Sequence, residues 1–154
     1  MKALLVSVAL VALAGPALAE DLPHAVVVDP DNLNWAPNRA LPKGALSVSL
    51  VGDSNKPGIF IRRHKLPPNY RIPPHTHPDV EVVTVISGSF AIGQGETFDE
   101  KAAKPLKAGA LFATPGKHPH FAWTGPEETI IQVHGIAPTN IEYINPADDP
   151  RKAQ

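Results

Sequence analysis

The sequence predicts an all-β protein, a sandwich or small barrel of short antiparallel strands with little helix. Three observations carry this expectation. Prolines and glycines, 18 and 11 of them, interrupt the chain every few residues beyond its start. The runs between them are short and either alternate or are continuously apolar, as strands do. No window of helical length shows an apolar period of 3.6 residues. Many short strands with regular turn signals read as a sandwich or barrel.

The strands follow in order. Val26–Val28, Ala45–Val51, Ile59–His64, Val80–Ile86, Ser89–Gly93, Leu111–Thr114, His120–Thr124 and Thr129–His134 all read as extended. Asp99–Lys104 has room for one helical turn. The stretch from Glu20 to about Leu41, rich in Pro and Asn, is expected to wrap the outside. Asn145-Pro-Ala-Asp-Asp-Pro-Arg-Lys is polar and cannot form a central strand. There is no internal repeat and no low-complexity tract. The implied organisation is residues 1–19 as a leader, 20–44 as an N-terminal extension, 45–144 as the barrel and 145–154 as a polar tail.

The leader has a short positive start, Met1-Lys2, and an apolar run from Ala3 to Ala14. Gly15-Pro16 then breaks it before Ala17-Leu18-Ala19. This is the pattern of a secretory signal peptide with cleavage after Ala19. The run is shorter than the roughly 20 apolar residues needed to span a bilayer, so no membrane insertion is expected after cleavage. The implied destination is secreted, or periplasmic in a Gram-negative cell. Loss of Lys2 shifts the formal charge from −1 to −2. That balance, with no basic run, excludes nucleic acid as an expected partner. The chain has no cysteine, so disulfides, thiolate metal ligands and cysteine nucleophiles are excluded. Any metal must be bound by His, Asp or Glu.

Pro73-Pro74-His75-Thr76-His77-Pro78-Asp79-Val80-Glu81 is the most informative stretch. Residues two apart on an extended strand point to the same face, so His75 and His77 converge on one point. Pro78-Asp79 makes a turn, and Glu81 opens the next apolar strand within reach of that point. Glu81 suits direct ligation or a hydrogen bond to a ligand imidazole. A third imidazole comes from the loop and strand after Pro115. On spacing alone, His118 and His120 are equally suited.

These residues resemble the cupin superfamily. The first cupin motif, His-x-His, three residues, Glu, six residues, Gly, is matched by His75, His77, Glu81 and Gly88. Asn69 stands where a Gly usually begins it and tolerates the same turn conformation. In the second motif, Gly109, Pro115 and His120 keep their places, with Lys117 for the second Gly and Thr124 for the Asn. The resemblance selects His120 over His118. It implies an antiparallel jelly-roll barrel with one divalent transition metal held by His75, His77, His120 and Glu81 inside an open end. Fe(II), Mn, Ni, Zn and Cu all suit such donors. Small cupins also pair through edge strands, which implies a homodimer.

Other side chains are candidates for the pocket wall. Alternation puts Ile130, Gln132 and His134 on one strand face and Thr129, Ile131 and Val133 on the other. If the polar set faces inward, His134 is the candidate base and Gln132 lies beside it; otherwise His134 is solvated at a strand end. Phe60, Arg62 and His64 also share a face. There Arg62 would orient a substrate carboxylate or stand as an exposed strand charge. His118 would gate the rim or sit in a plain loop. Phe121 and Trp123 should face away from the metal and pack into core or a dimer contact. The expected function is a metal-dependent enzyme, dioxygenase-like, acting on a small organic molecule. The alternatives are a metal-dependent isomerase, lyase or cyclase, and a non-catalytic binder of a metal or small ligand.

Overall fold

The computed structural model describes residues 24–152; the proposed leader and its cleavage point lie outside them. Eleven strands form two antiparallel sheets. In chain order they are β1 (Ala36–Pro37), β2 (Leu46–Val51), β3 (Gly58–Leu66), β4 (Arg71–Thr76), β5 (Glu81–Ser87), β6 (Ser89–Gln94), β7 (Leu106–Lys107), β8 (Leu111–Thr114), β9 (His120–Thr124), β10 (Thr129–Ala137) and β11 (Glu142–Tyr143). One sheet runs β1-β2-β3-β10-β5-β8 and the other β11-β4-β9-β6-β7. This is the all-β jelly roll expected, and among the described residues the helical content is three single 3-10 turns. One of these, Glu100–Ala102, falls within the predicted turn at 99–104, with the Lys101 amide donating to the Asp99 side chain.

The core lies between the sheets. Leu66, Val83, Val85, Phe90, Ile131 and Val133 are its buried centre. At roughly 25 cal/mol per Å² of apolar surface, burial of such side chains is the main stabilising term. A second cluster forms on the outer face of the five-stranded sheet, where Phe98 and Ala103 cover Ala91, Phe121 and Trp123. Phe121 and Trp123 therefore do point away from the interior, into core. Among the described residues the outer face of the six-stranded sheet has no such cover, and Ile59, Leu111 and Ile136 on it are exposed.

Two expectations are corrected. Val26–Val28 is not a strand, and Val27 is almost wholly exposed; its apolar run finds no partner, and sheet pairing starts only at Ala36. The segment before residue 45 does more than wrap the outside. Leu41 is buried core, and Asn38, Ala40 and Leu41 help to wall the interior cavity. The Tyr143 hydroxyl donates to the Ala40 carbonyl at 2.8 Å, and Tyr70 donates to that of Pro42. These two bonds staple the segment across the barrel.

The turns of the two motifs are kept despite their substitutions. Asn69 adopts φ 53° and Lys117 φ 58°, the left-handed conformation that their usual glycines favour. Gly88 has φ 74°, and a Cβ there would meet Thr129 Oγ1 at 2.5 Å and the Glu128 carbonyl at 2.6 Å. No side chain fits that turn. Thr124, in place of Asn, is buried; its hydroxyl donates to the Pro67 carbonyl and accepts from the Tyr70 amide.

Candidate metal centre

The site bridges the two sheets. β4 carries His75, and His77 follows one residue beyond its end. Pro73 and Pro74 cannot donate to a ladder, and the β4–β9 register shifts between Ile72 and His75. Past that irregularity His75 pairs directly with His120 on β9. Glu81 comes from the opposite sheet, at the first position of β5. The Lys117 amide donates to the His77 carbonyl at 2.7 Å, which ties the loop before His120 to the loop after His75.

The three imidazoles cluster tightly. Each offers one ring nitrogen, and these nitrogens lie within 4.8 Å of one another. Glu81 Oε1 is 3.3 Å from His77 Nε2, and Oε2 is 3.7 Å from His120 Nε2. Two donors that share one ion at about 2.1 Å sit roughly 3.0–3.5 Å apart; the 3.3 Å spacing falls in that range and the 3.7 Å spacing lies just beyond it.

Hydrogen bonding orients the rings. His75 Nδ1 lies 2.7 Å from the Pro73 carbonyl, His77 Nδ1 2.7 Å from that of Asn140, and His120 Nδ1 3.0 Å from that of His118. A carbonyl can only accept, so each Nδ1 carries a hydrogen, and in the neutral ring Nε2 then presents a lone pair. That arrangement is the usual support for a metal-binding imidazole. It also leaves a mismatch. His77 Nε2 is buried without a hydrogen-bond partner and, in the neutral ring, faces the Glu81 carboxylate acceptor against acceptor. A cation between them would resolve the repulsion, and the donor set therefore fits a divalent ion. Thr114 Oγ1 is the other buried polar atom recorded without a partner among the described residues. It lies beside the same place, because Thr114 pairs with Glu81 across β8 and β5.

The electrostatics agree with a neutral His75 beside an ionised Glu81. Burial, reinforced by His120 and His77, pushes the His75 imidazole down to about 3. Burial alone would raise the Glu81 carboxyl. The pull of His77, His120 and His75 outweighs it and holds the group well below the usual carboxylate range.

The cluster opens on a cavity of about 310 Å³. Its walls are largely apolar, with Phe60, Ile72, Val83, Phe90, Ile131 and Val133 among them. Gly135, paired with both Glu81 and Phe60, leaves room there; a Cβ on it would come within 3.2 Å of the Phe60 ring.

Not every candidate reaches this cavity. On β10 the apolar set faces inward: Thr129, Ile131 and Val133 are buried, and Ile131 and Val133 line the cavity. Gln132 and His134 consequently lie on the outer face, where Gln132 accepts from Arg63 Nε at 3.1 Å. The expectation of His134 as an internal base is corrected, because a face of branched apolar side chains gains more from burial than the polar one. The His118 side chain is exposed, and its contribution is the backbone carbonyl that orients His120. Arg62 does line the cavity, and so does His64, whose alternation with Arg62 signals the same placement.

The family model described as Cupin matches residues 33–148, and the chain belongs to the cupin family. It is 35% identical over 78 residues to Germin-like protein 3-1 of Oryza sativa subsp. japonica, covering 50% of this chain and 34% of that protein. The chain thus spans about a third of the length of the curated relatives it matches. Among solved structures, the polyketide cyclase RemF from Streptomyces resistomycificus superposes with a TM-score of 0.65 at 18% identity, over 84% of this chain and 92% of that one. An oxalate oxidase superposes with a TM-score of 0.51 at 24% identity, over 71% and 59%. At such identities the likeness is one of fold.

Proposed function

We propose that this chain is a metal-dependent enzyme of dioxygenase type that acts on a small organic molecule. The observation that carries the reading is the convergence of three Nε2 lone pairs, each set by a carbonyl on Nδ1, beside a carboxylate at the edge of an apolar cavity. His75, His77 and His120 would hold the ion, with Glu81 as the fourth donor. Four protein donors leave coordination positions open on an octahedral ion, as catalytic sites do. When bound, the ion supplies Lewis-acid polarisation and a template for the reactants. The protein's own part is to exclude water with the apolar walls, keep the His75 imidazole neutral and fix the donors before substrate arrives. Residues 1–19 support export of the chain, so the reaction would take place outside the cytoplasm.

The test is oxygen uptake by Fe(II)-loaded protein with catechol, diketone and flavonol substrates. Consumption of oxygen coupled to loss of one class supports the reading. Conversion of substrate without oxygen consumption favours an isomerase, lyase or cyclase instead. Metal binding with no turnover of any kind would leave a carrier or sensor.

A further inference from the structure

Two polar residues on β3 face the cavity and belong to no metal cluster. Arg62 and His64 are two apart on the strand and flanked on the same face by Phe60 and Leu66, both buried. Alternation therefore turns both inward.

The proton on His64 can be placed by following hydrogen bonds outward from the backbone. The Ala40 amide donates to Asn38 Oδ1 at 2.9 Å, which fixes the orientation of the Asn38 amide. Its Nδ2 then donates to Ser47 Oγ at 2.9 Å. Ser47 Oγ, now accepting, has one hydrogen of its own, and the partner recorded for it is His64 Nδ1 at 2.6 Å. When Ser47 donates this hydrogen to His64 Nδ1, the ring hydrogen sits on Nε2. Burial, helped by the nearby Arg62 charge, pushes this imidazole down to about 4, so it stays neutral. In that tautomer His64 offers the cavity an N–H donor, whereas the clustered histidines turn Nδ1 to backbone carbonyls and Nε2 to the metal position.

Arg62 is the complementary half. Its Nη2 donates to the buried Ser54 hydroxyl at 2.5 Å. No carboxylate forms an ion pair with it among the described residues. Burial works against its charge, with Asp53 opposing only from a distance. A guanidinium turned into an apolar cavity without a counter-ion is a site for an anion.

Register gives the separation. Arg62 pairs with Val133, and Val133 with Val83, which stands two residues along β5 from Glu81 on the same face. Two strand spacings, about 10 Å, separate the donor wall from the Glu81 strand. The surface between them is apolar.

We propose that Arg62 and His64 form an anion subsite, so that the substrate is a small organic monoanion, a carboxylate or enolate on an apolar body. This rests on the reading of the cavity as the substrate site of a metal centre. One guanidinium and one neutral N–H suit a single negative charge. A phosphate dianion would need more positive charge than this wall carries and would face the Glu81 carboxylate.

The test uses benzoate as probe and benzamide as its neutral counterpart, each titrated calorimetrically into metal-free and Zn(II)-loaded protein. Benzoate should bind about tenfold or more tightly than benzamide in both forms. Arg62→Gln should remove that preference while leaving the Zn(II) content unchanged. Benzoate binding that needs Zn(II) and ignores Arg62→Gln would mean that the carboxylate sits on the metal, and would overturn the subsite. Equal binding of both probes, or none at millimolar concentration, would overturn it too. A protein that takes up no Zn(II) but still discriminates the probes through Arg62 retains the subsite and loses the metal reading. Should Arg62→Gln not fold, nitrogen-15 spectra of the Zn(II)-loaded wild type decide. They should show the Nε2–H form for His64 and the Nδ1–H form for the three clustered histidines. An Nδ1–H form at His64 refutes the donor wall.

Discussion

The β4 side and the β3 side of the barrel each turn a pair of polar residues, two apart, toward one cavity, and they do opposite things there. Around β4, His75 and His77 are held by backbone carbonyls on Nδ1. On β3, His64 Nδ1 faces a serine hydroxyl that accepts from Asn38 and has one hydrogen to give. The same side chain becomes a lone-pair donor in the first case and an N–H donor in the second. What separates a metal ligand from a substrate-binding group in this barrel is thus the atom behind the ring, one bond removed from the cavity.

The largest effect that would break this contrast comes from removing a ring from each side. His120→Ala should lower divalent-metal affinity by more than the roughly 10–100-fold contributed by a typical supporting partner. His64→Gln should leave it unchanged. Metal analysis after exhaustive dialysis, with calorimetric titration of Zn(II), reads both. Equal loss in the two variants would mean that His64 belongs to the metal cluster after all.

The metal-free protein should lose stability as pH falls from about 6.5 toward 4. His75 and His64 are both held below the ordinary histidine value, at about 3 and about 4. The unfolded chain therefore takes up protons first, and acid favours it. Each histidine contributes a slope of up to about 1.4 kcal/mol per pH unit within that window. The Glu81 carboxyl, also held low, adds stability above its ordinary range; that part is lost only as pH falls below about 4.5. Urea unfolding at pH 7, 5.5 and 4 measures the slope, and His64→Gln should reduce it. A flat profile would mean that neither ring is buried as a neutral group.

The grouping of His75, His77, Glu81 and His120 was legible because strand periodicity puts residues two apart on one face and the motif spacing supplies the rest. Alternation likewise put Arg62 with His64, and Gln132 with His134. It states which residues share a face and is silent on which face is inward. On β10 that depended on Ile131 and Val133 burying against Val83 and Val85, a contact between strands nearly 50 positions apart in sequence. The groups behind the rings were hidden for a similar reason. The carbonyl that orients His77 belongs to Asn140, 63 residues away, and any residue type could provide it. The apolar run at Val26–Val28 misled because periodicity cannot show that a partner strand is missing. Lys117 was the converse case. A lysine in a glycine position put the turn in question, yet the backbone keeps φ 58° there and accepts the modest strain of a side chain in the left-handed region.

The finest test changes no ring at all. Ser47→Ala removes the hydroxyl between Asn38 and His64 and leaves every cavity-lining side chain in place. The lost hydrogen bonds should lower stability by about 1 kcal/mol, read by urea unfolding. With nothing donating to Nδ1, the ring is no longer confined to one proton position. Nitrogen-15 spectra should then show a mixture of the two tautomers at His64, while His75, His77 and His120 keep Nδ1–H and the Zn(II) affinity stays at the wild-type value. Affinity for benzoate should fall by only a fewfold, because Arg62 still supplies the charge and only the neutral donor is weakened. If His64 remains wholly Nε2–H without Ser47, the cavity itself selects the tautomer, and the contrast between the two sides of the barrel no longer depends on the atom behind the ring.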